Sequence, residues 1–454
     1  FYELSQSQKS IWYLEQKYPG TYMNNISGTI RYVGTIDYDA LRKAVSLVIK
    51  NNEGLRIRIH DENGEPLQYA APFEDKELEY FDFSMSGLEE LYAWDVKETK
   101  RPFPLYDSDL FSFTVIKIDD RNGGVLVRLH HIISDAWNMS VVGNQITAYY
   151  AALRRNLPYE DRPKPSFFEH LKNEKIYESS ERFLKDREYW NGKFSDIPEP
   201  TVMKPQALTT ESIQSARKSF IIPQVLSDKI RDYCSRNNKS PFTLFMAALC
   251  IYIHRVTGND DIVLGTTILN RINAREKETS GMFVSVAAPV RVRMMDAVNF
   301  SEFSEMMSRE NLNILRHQKY PYNYLLSDLK KDHTLPHRLY DIVLNYQNSK
   351  FESTQFGEVV KSRWHFTGQQ VESLIIHVND RDDEGRFVLN YDFLTDIYHI
   401  NEIEGINRHV INILWHALDN PERAIGQLEM LSEKEKEQIL VDFNRTTADY
   451  PYDK

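Results

Sequence analysis

The segment RLHHIISDAW, residues 128–137, places two adjacent histidines four positions before an aspartate, with an indole close behind. An imidazole titrates near neutral pH, so it can take a proton from a nucleophile under physiological conditions. A carboxylate beside it can orient that base, cap a helix or hold an arginine. In GGVLVRLHHIISD, Val125, Val127 and Leu129 alternate onto one face of an expected strand, and His131 continues that row. Leu126, Arg128 and His130 form the opposite row, so only one histidine faces a given cavity. Asp135 stands just before a helix expected to begin near Trp137. The residues alone leave two readings open. In one, a histidine is a base or hydrogen-bonding group and Asp135 its support. In the other, the set is a satisfied core histidine, an exposed one and a helix cap.

The elements that must position these residues are legible in the hydrophobic periodicity. Ile11, Leu14 and Tyr18 fall at helical spacing after a serine-rich cap, and Pro19-Gly20 ends that helix. NNISGTIRYVG alternates as a strand. In DYDALRKAVSLVIKNN, Leu41, Ala44, Val45, Val48 and Ile49 share one face behind a cap at Asp37. GLRIRIHD and PLQYA form a hairpin about Asn63-Gly64. Two more strands, ending in VLVRLHHI, are joined by an expected turn at Asn122-Gly123-Gly124, and a helix follows them. The highly charged stretch 163–194 reads as a helical bridge. Beyond it the pattern repeats: a strand at 216–222, helices at 227–237 and 241–256, and the strand DIVLGTTIL. The fold class is therefore α/β in two similar lobes, with an internal repeat suspected although the halves share no visible identity.

Composition removes several function classes. A length of 454 residues suggests two or three domains or lobes, and 41% hydrophobic residues supply the cores. The net charge is −11 without a basic, aromatic-interleaved run, so nucleic acid is not an expected partner. Cys234 and Cys250 are the only cysteines, which argues against a disulfide scaffold and a structural zinc site. With no long apolar run and no signal pattern, the expected location is the cytoplasm, without a membrane span. The chain starts at Phe1 and reads as a piece of something longer.

HHIISDA resembles the HHxxxDG signature of nonribosomal peptide synthetase condensation domains, a branch of the chloramphenicol-acetyltransferase-like acyltransferases. The resemblance runs along nearly the whole chain. LSQSQKSIWYLEQ is similar to the opening motif with its Gln-x-x-x-Trp core, and NNEGLRIRI to the segment with Glu53, Leu55 and Arg56. GTTILNR ends in Arg271, which the family pairs with the motif aspartate. SGMFVSVAAPVRV resembles the Gly-x-Phe-Val stretch, and RHQKYPYNYLL the His-Gln-x-x-Pro motif. The opening segment and LRHQKYPYNYLLSDL look most like starter condensation domains, which open lipopeptide synthetases.

The resemblance implies a V-shaped pair of acetyltransferase-like lobes, residues 1–176 and 177–433, and a linker at 434–454 leading to an adenylation domain. It implies transfer of a fatty acyl group to the amine of an aminoacyl group on a peptidyl carrier protein, with elongation-type peptidyl transfer or a non-catalytic recruitment module as rivals. The donor would be a fatty acyl-coenzyme A or an acyl carrier protein. No metal or prosthetic group is expected within the chain, because the substrates arrive on 4′-phosphopantetheine or coenzyme A. His131 is the expected base or amine-orienting group, His130 a packing residue, and Asp135 and Arg271 a buried ion pair supporting the loop. Ala136, Trp137 and Asn345 are expected at the channel, although for Asn345 a strand-end hydrogen bond is an equal alternative. Ala136 stands where the family has glycine. At positive φ alanine costs on the order of 1 kcal/mol, and at negative φ little.

Overall fold

Alternating apolar residues from the first third of the chain make the middle of a five-stranded sheet. A computed structural model describes residues 1–332, 338–347, 359–380, 382 and 384–445. The chain opens with β1 (Tyr2–Glu3), α1 (Gln6–Lys17), β2 (Asn25–Val33) and α2 (Tyr38–Asn51). The hairpin of β3 (Ile57–Glu62) and β4 (Glu65–Ala70) follows, then β5 (Glu79–Asp82) and α3 (Gly87–Thr99). Next come β6 (Phe111–Asp119), β7 (Asn122–His130) and α4 (Ala136–Arg154). β2, β7 and β6 pair antiparallel, and their Ile30, Phe113, Val115, Val125, Val127 and Leu129 pack under α2 and α4. Burying each such side chain contributes about 1.5–3 kcal/mol, so this face fixes the register of β7 and hence where it ends.

The turn expected at Asn122-Gly123-Gly124 lies instead at Asp120 and Arg121, with a register shift between Lys117 and Asp119. Both glycines belong to β7. A Cβ on Gly124 would stand 2.0 Å from the carbonyl oxygen of Ile30, and one on Gly123 2.7 Å from the Tyr38 hydroxyl. They permit close approach of neighbours, which a sequence pattern cannot distinguish from turn chemistry.

The charged stretch forms α5 (Phe167–Glu178) and α6 (Glu181–Lys193). The second half continues with β8 (Ser215–Ile221), α7 (Gln224–Asn237), α8 (Pro241–Thr257), β9 (Asp261–Ile268) and α9 (Ala274–Glu278). After these come β10 (Ser285–Arg293), α10 (Phe300–Arg316), α11 (Tyr322–Asp332), β11 (Ile342–Gln347) and β12 (Val359–Trp364). β13 (Leu374–Asn379), β14 (Val388–Leu394), α12 (Ile400–Asp419) and α13 (Glu433–Glu437) complete the described chain. The second sheet has the order β10-β9-β11-β13-β14-β8, parallel at β9–β11 and β11–β13 and antiparallel elsewhere. α8 is buried at every position from Thr243 to Ile253 and packs against α10 and α12, as a helix apolar all round must. Among the described residues, no single helix is long and apolar enough to cross a membrane.

The two halves are interleaved. β12, from the second half, pairs antiparallel with β2 from Val359↔Val33 to Trp364↔Gly28 and becomes an edge of the first sheet. A cut at 176/177 therefore does not separate two segments that each hold their own sheet. The stretch expected as a linker begins with α13, docked through Glu435 onto Arg408 at 2.7 Å, while residues 446–454 lie outside the described residues. Gly124→Ala is expected to destabilise the protein by about 1–3 kcal/mol through overpacking against β2, read as a lower Tm. Gly192→Ala, where nothing lies within 4 Å, serves as the control.

Candidate active site

β7 stops at His130, and the chain makes one 3-10 turn over His131–Ile133. His131 therefore leaves the strand row that alternation assigns to it. The cause is local: the Ile132 N–H donates to the Nδ1 of His130 at 3.1 Å, so a side chain takes the place of a ladder partner. The N–H of His131 donates to the carbonyl of Asn24 at 2.7 Å. His131 as a residue is half-buried, and its Nδ1 is buried without a hydrogen-bond partner. Nε2 is not among the buried nitrogens left without a partner. The protein packed around the ring lowers its pKa below the ordinary histidine value, and Asp135 only partly opposes this. Burial thus favours the neutral form of the ring.

Asp135 is fully buried and caps α4, accepting from the Asn138 N–H at 2.7 Å. Arg271 approaches it at 3.1 Å, with both side chains fully shielded from solvent. The second carboxylate oxygen also accepts from the N–H groups of Phe283 at 3.0 Å and Val284 at 3.3 Å. Arg271 reaches this place because Asn270, at the exit of β9, adopts the left-handed conformation with φ 55°. Its guanidinium donates to the carbonyls of Glu276, Thr279 and Gly281 and lies 4.0 Å from the centroid of Phe283. Two buried charges are tolerable only with this density of partners.

The remaining expected positions divide. Ala136 is the first residue of α4 and is not among the residues with positive φ, so the methyl in place of the family hydrogen causes no backbone strain. Trp137 donates its indole N–H to the carbonyl of Lys277 at 2.9 Å, tying α4 to α9 of the other half. Asn345 accepts the backbone N–H of Thr267 at 3.0 Å. β9 and β11 share one paired position, Val343↔Gly265, and Asn345 bridges them beyond it, in the manner of a strand-end hydrogen bond.

Sequence reasoning passed over two residues beside the site. Glu15 lies 3.1 Å from the Nε2 of His130 and also accepts from Asn24 at 2.6 Å. An acidic residue on the buried stripe of α1, with Gln8 and Ile11, was the available signal. His170 packs against Phe283 with the ring centroids 4.2 Å apart and the planes tilted by 38°, and burial with Arg271 nearby pushes its pKa down to about 4.

Asp135→Ala and Arg271→Ala are each expected to cost about 3–5 kcal/mol by leaving a buried charge alone. The double substitution should cost clearly less than the sum in a thermal-unfolding cycle, whereas strict additivity would deny the coupling.

A family model described as "Condensation domain" matches residues 1–440. Surfactin synthase subunit 1 of Bacillus subtilis (strain 168) is 34% identical over 458 residues, covering 100% of this chain and 13% of that protein. A plipastatin synthase of the same strain is 31% identical over 452 residues, covering 99% of this chain and 18% of that protein. The chain thus spans less than a fifth of either relative. A doubly substituted starter condensation domain of rhizomide synthetase, solved with C8-CoA and Leu-SNAC, superposes with a TM-score of 0.85 at 21% identity. That match covers 95% of this chain and 97% of the other. The first condensation domain of the calcium-dependent antibiotic synthetase superposes with a TM-score of 0.80 at 20% identity, covering 95% and 99%. The two-lobed α/β architecture and the family match agree: the chain belongs to the condensation-domain family.

Proposed function

We propose that this chain is a starter condensation domain that transfers a fatty acyl group from a thioester to the amine of an aminoacyl group on a peptidyl carrier protein. The observation that carries the reading is the half-buried His131, held on a turn next to the shielded Asp135–Arg271 pair. Surfactin synthase and the acyl-CoA complex of the rhizomide domain support the starter subtype.

In this reaction the amine nitrogen attacks the thioester carbonyl carbon, forming the C–N bond. Nε2 of His131 takes the proton that the nitrogen must lose. Collapse of the tetrahedral adduct breaks the C–S bond, and the same proton passes from His131 to the departing thiolate. Such positioned proton transfer is worth about 10² to 10⁴-fold. Asp135 and Arg271 act by holding the turn. The donor is an acyl-coenzyme A or an acyl carrier protein, and the acceptor carrier and an adenylation domain belong to the same synthetase.

His131→Ala should fold normally and lose about 10² to 10⁴-fold in acyl transfer to an aminoacyl carrier. An unchanged rate would remove His131 from the chemistry. The acid limb of kcat/KM should lie below the ordinary histidine value, because burial favours the neutral ring. With fatty acyl-coenzyme A donors the rate should rise with chain length until no further methylene is buried, at about 0.8 kcal/mol per buried methylene. Efficient dipeptidyl transfer with no acylation at any chain length would make this an elongation domain.

A further inference from the structure

One helix holds the turn that carries His131. Gln8 and Glu15 lie seven residues apart on α1, two turns apart on its buried face, with Ile11 between them. The Gln8 carboxamide is fully used. Its oxygen accepts from the Ser5 N–H at 2.9 Å and from Gln68 at 2.8 Å, and its nitrogen donates to Gln68 at 2.9 Å and to the Ile132 carbonyl at 3.0 Å. The other backbone group of Ile132, its N–H, donates to Nδ1 of His130 at 3.1 Å.

A backbone N–H can only donate, so Nδ1 of His130 is an acceptor and the neutral ring carries its proton on Nε2. Nε2 stands 3.1 Å from Glu15 Oε1, which accepts that proton in a hydrogen bond. The same oxygen is fixed by Asn24 Nδ2 at 2.6 Å, and the carbonyl of Asn24 receives the N–H of His131 at 2.7 Å. The chain of bonds runs from Glu15 back to His131 on both sides.

We propose that Glu15 is a positioning residue for His131, acting through the tautomer of His130. This rests on the reading of His131 as the base. Without an acceptor at position 15, His130 can carry its proton on Nδ1, where it opposes the Ile132 N–H. The turn then loses one of its clamps and the ring of His131 moves. Displacement of a reacting group by about 1 Å can cost on the order of 10²-fold in rate. What the role needs is an acceptor oxygen held by Asn24, so glutamine suffices where alanine does not.

The experiment compares wild type, Glu15→Ala, Glu15→Gln and His131→Ala. Single-turnover acyl transfer and KM are measured with an acyl-coenzyme A donor and an aminoacyl carrier, and NMR on protein with 15N-labelled histidine reads the His130 tautomer. Glu15→Ala is expected to lower the single-turnover rate on the order of 10²-fold with KM for both substrates unchanged, and to abolish the pure Nε2–H form of His130. Glu15→Gln should keep that form and stay within a few-fold of wild type. A wild-type rate for Glu15→Ala, a Glu15→Gln variant as slow as alanine, or lost rate with the tautomer intact overturns the inference. A wild-type rate for His131→Ala instead overturns the base reading, even if the tautomer still responds to position 15.

Discussion

The buried pair of Asp135 and Arg271 is the contact on which the rest of the site depends. Asp135 comes from the loop entering α4 in the first half, and Arg271 from the exit of β9 in the second. One carboxylate meets a guanidinium, a helix-capping N–H and the amides of Phe283 and Val284, so three separate chain segments converge on it. The attraction is strong because no water competes, and for the same reason neither charge can be left alone. The active-site turn thus takes its final geometry only when the two halves have docked.

Two further features make that docking hard to undo. β12 of the second half is hydrogen-bonded into the first sheet along six registered pairs. Gly54 lies so close to the loop before β10 that a Cβ there would stand 2.1 Å from the Ser280 carbonyl. Through Gly54 and Ser280 the Glu-x-Leu-Arg and Gly-x-Phe-Val motifs, far apart in sequence, meet between the two lobes. Within the second half, His317 of the His-Gln-x-x-Pro segment bonds Asp186 at 2.7 Å and stacks on Tyr189 at 3.9 Å, tying α6 to the rest of that half.

Much of this was legible in the sequence. Apolar alternation located β2 and β7, the 3.6-residue period located α2 and α7, a continuous apolar run located α8, and Asp37 and Asp135 stood where helix caps belong. These features are local, decided by residues within one turn or one strand of each other. The same local rules misplaced the turn at Gly123-Gly124, because glycines freeing space for a neighbour look like glycines freeing φ. They also carried the strand one residue too far, onto His131.

The sequence by itself determined the fold class, the family and the identity of the residues able to move a proton. Tertiary structure decided which polar groups meet and what state they are in. It gave Asn345 to Thr267, Trp137 to Lys277 and Glu15 to His130, and it lent a strand from one half to the sheet of the other. The physical reason is range. Helix and strand propensities act over a few residues, whereas a buried hydrogen bond or ion pair depends on which surfaces exclude water together. That exclusion is settled only when residues many tens to hundreds of positions apart have packed.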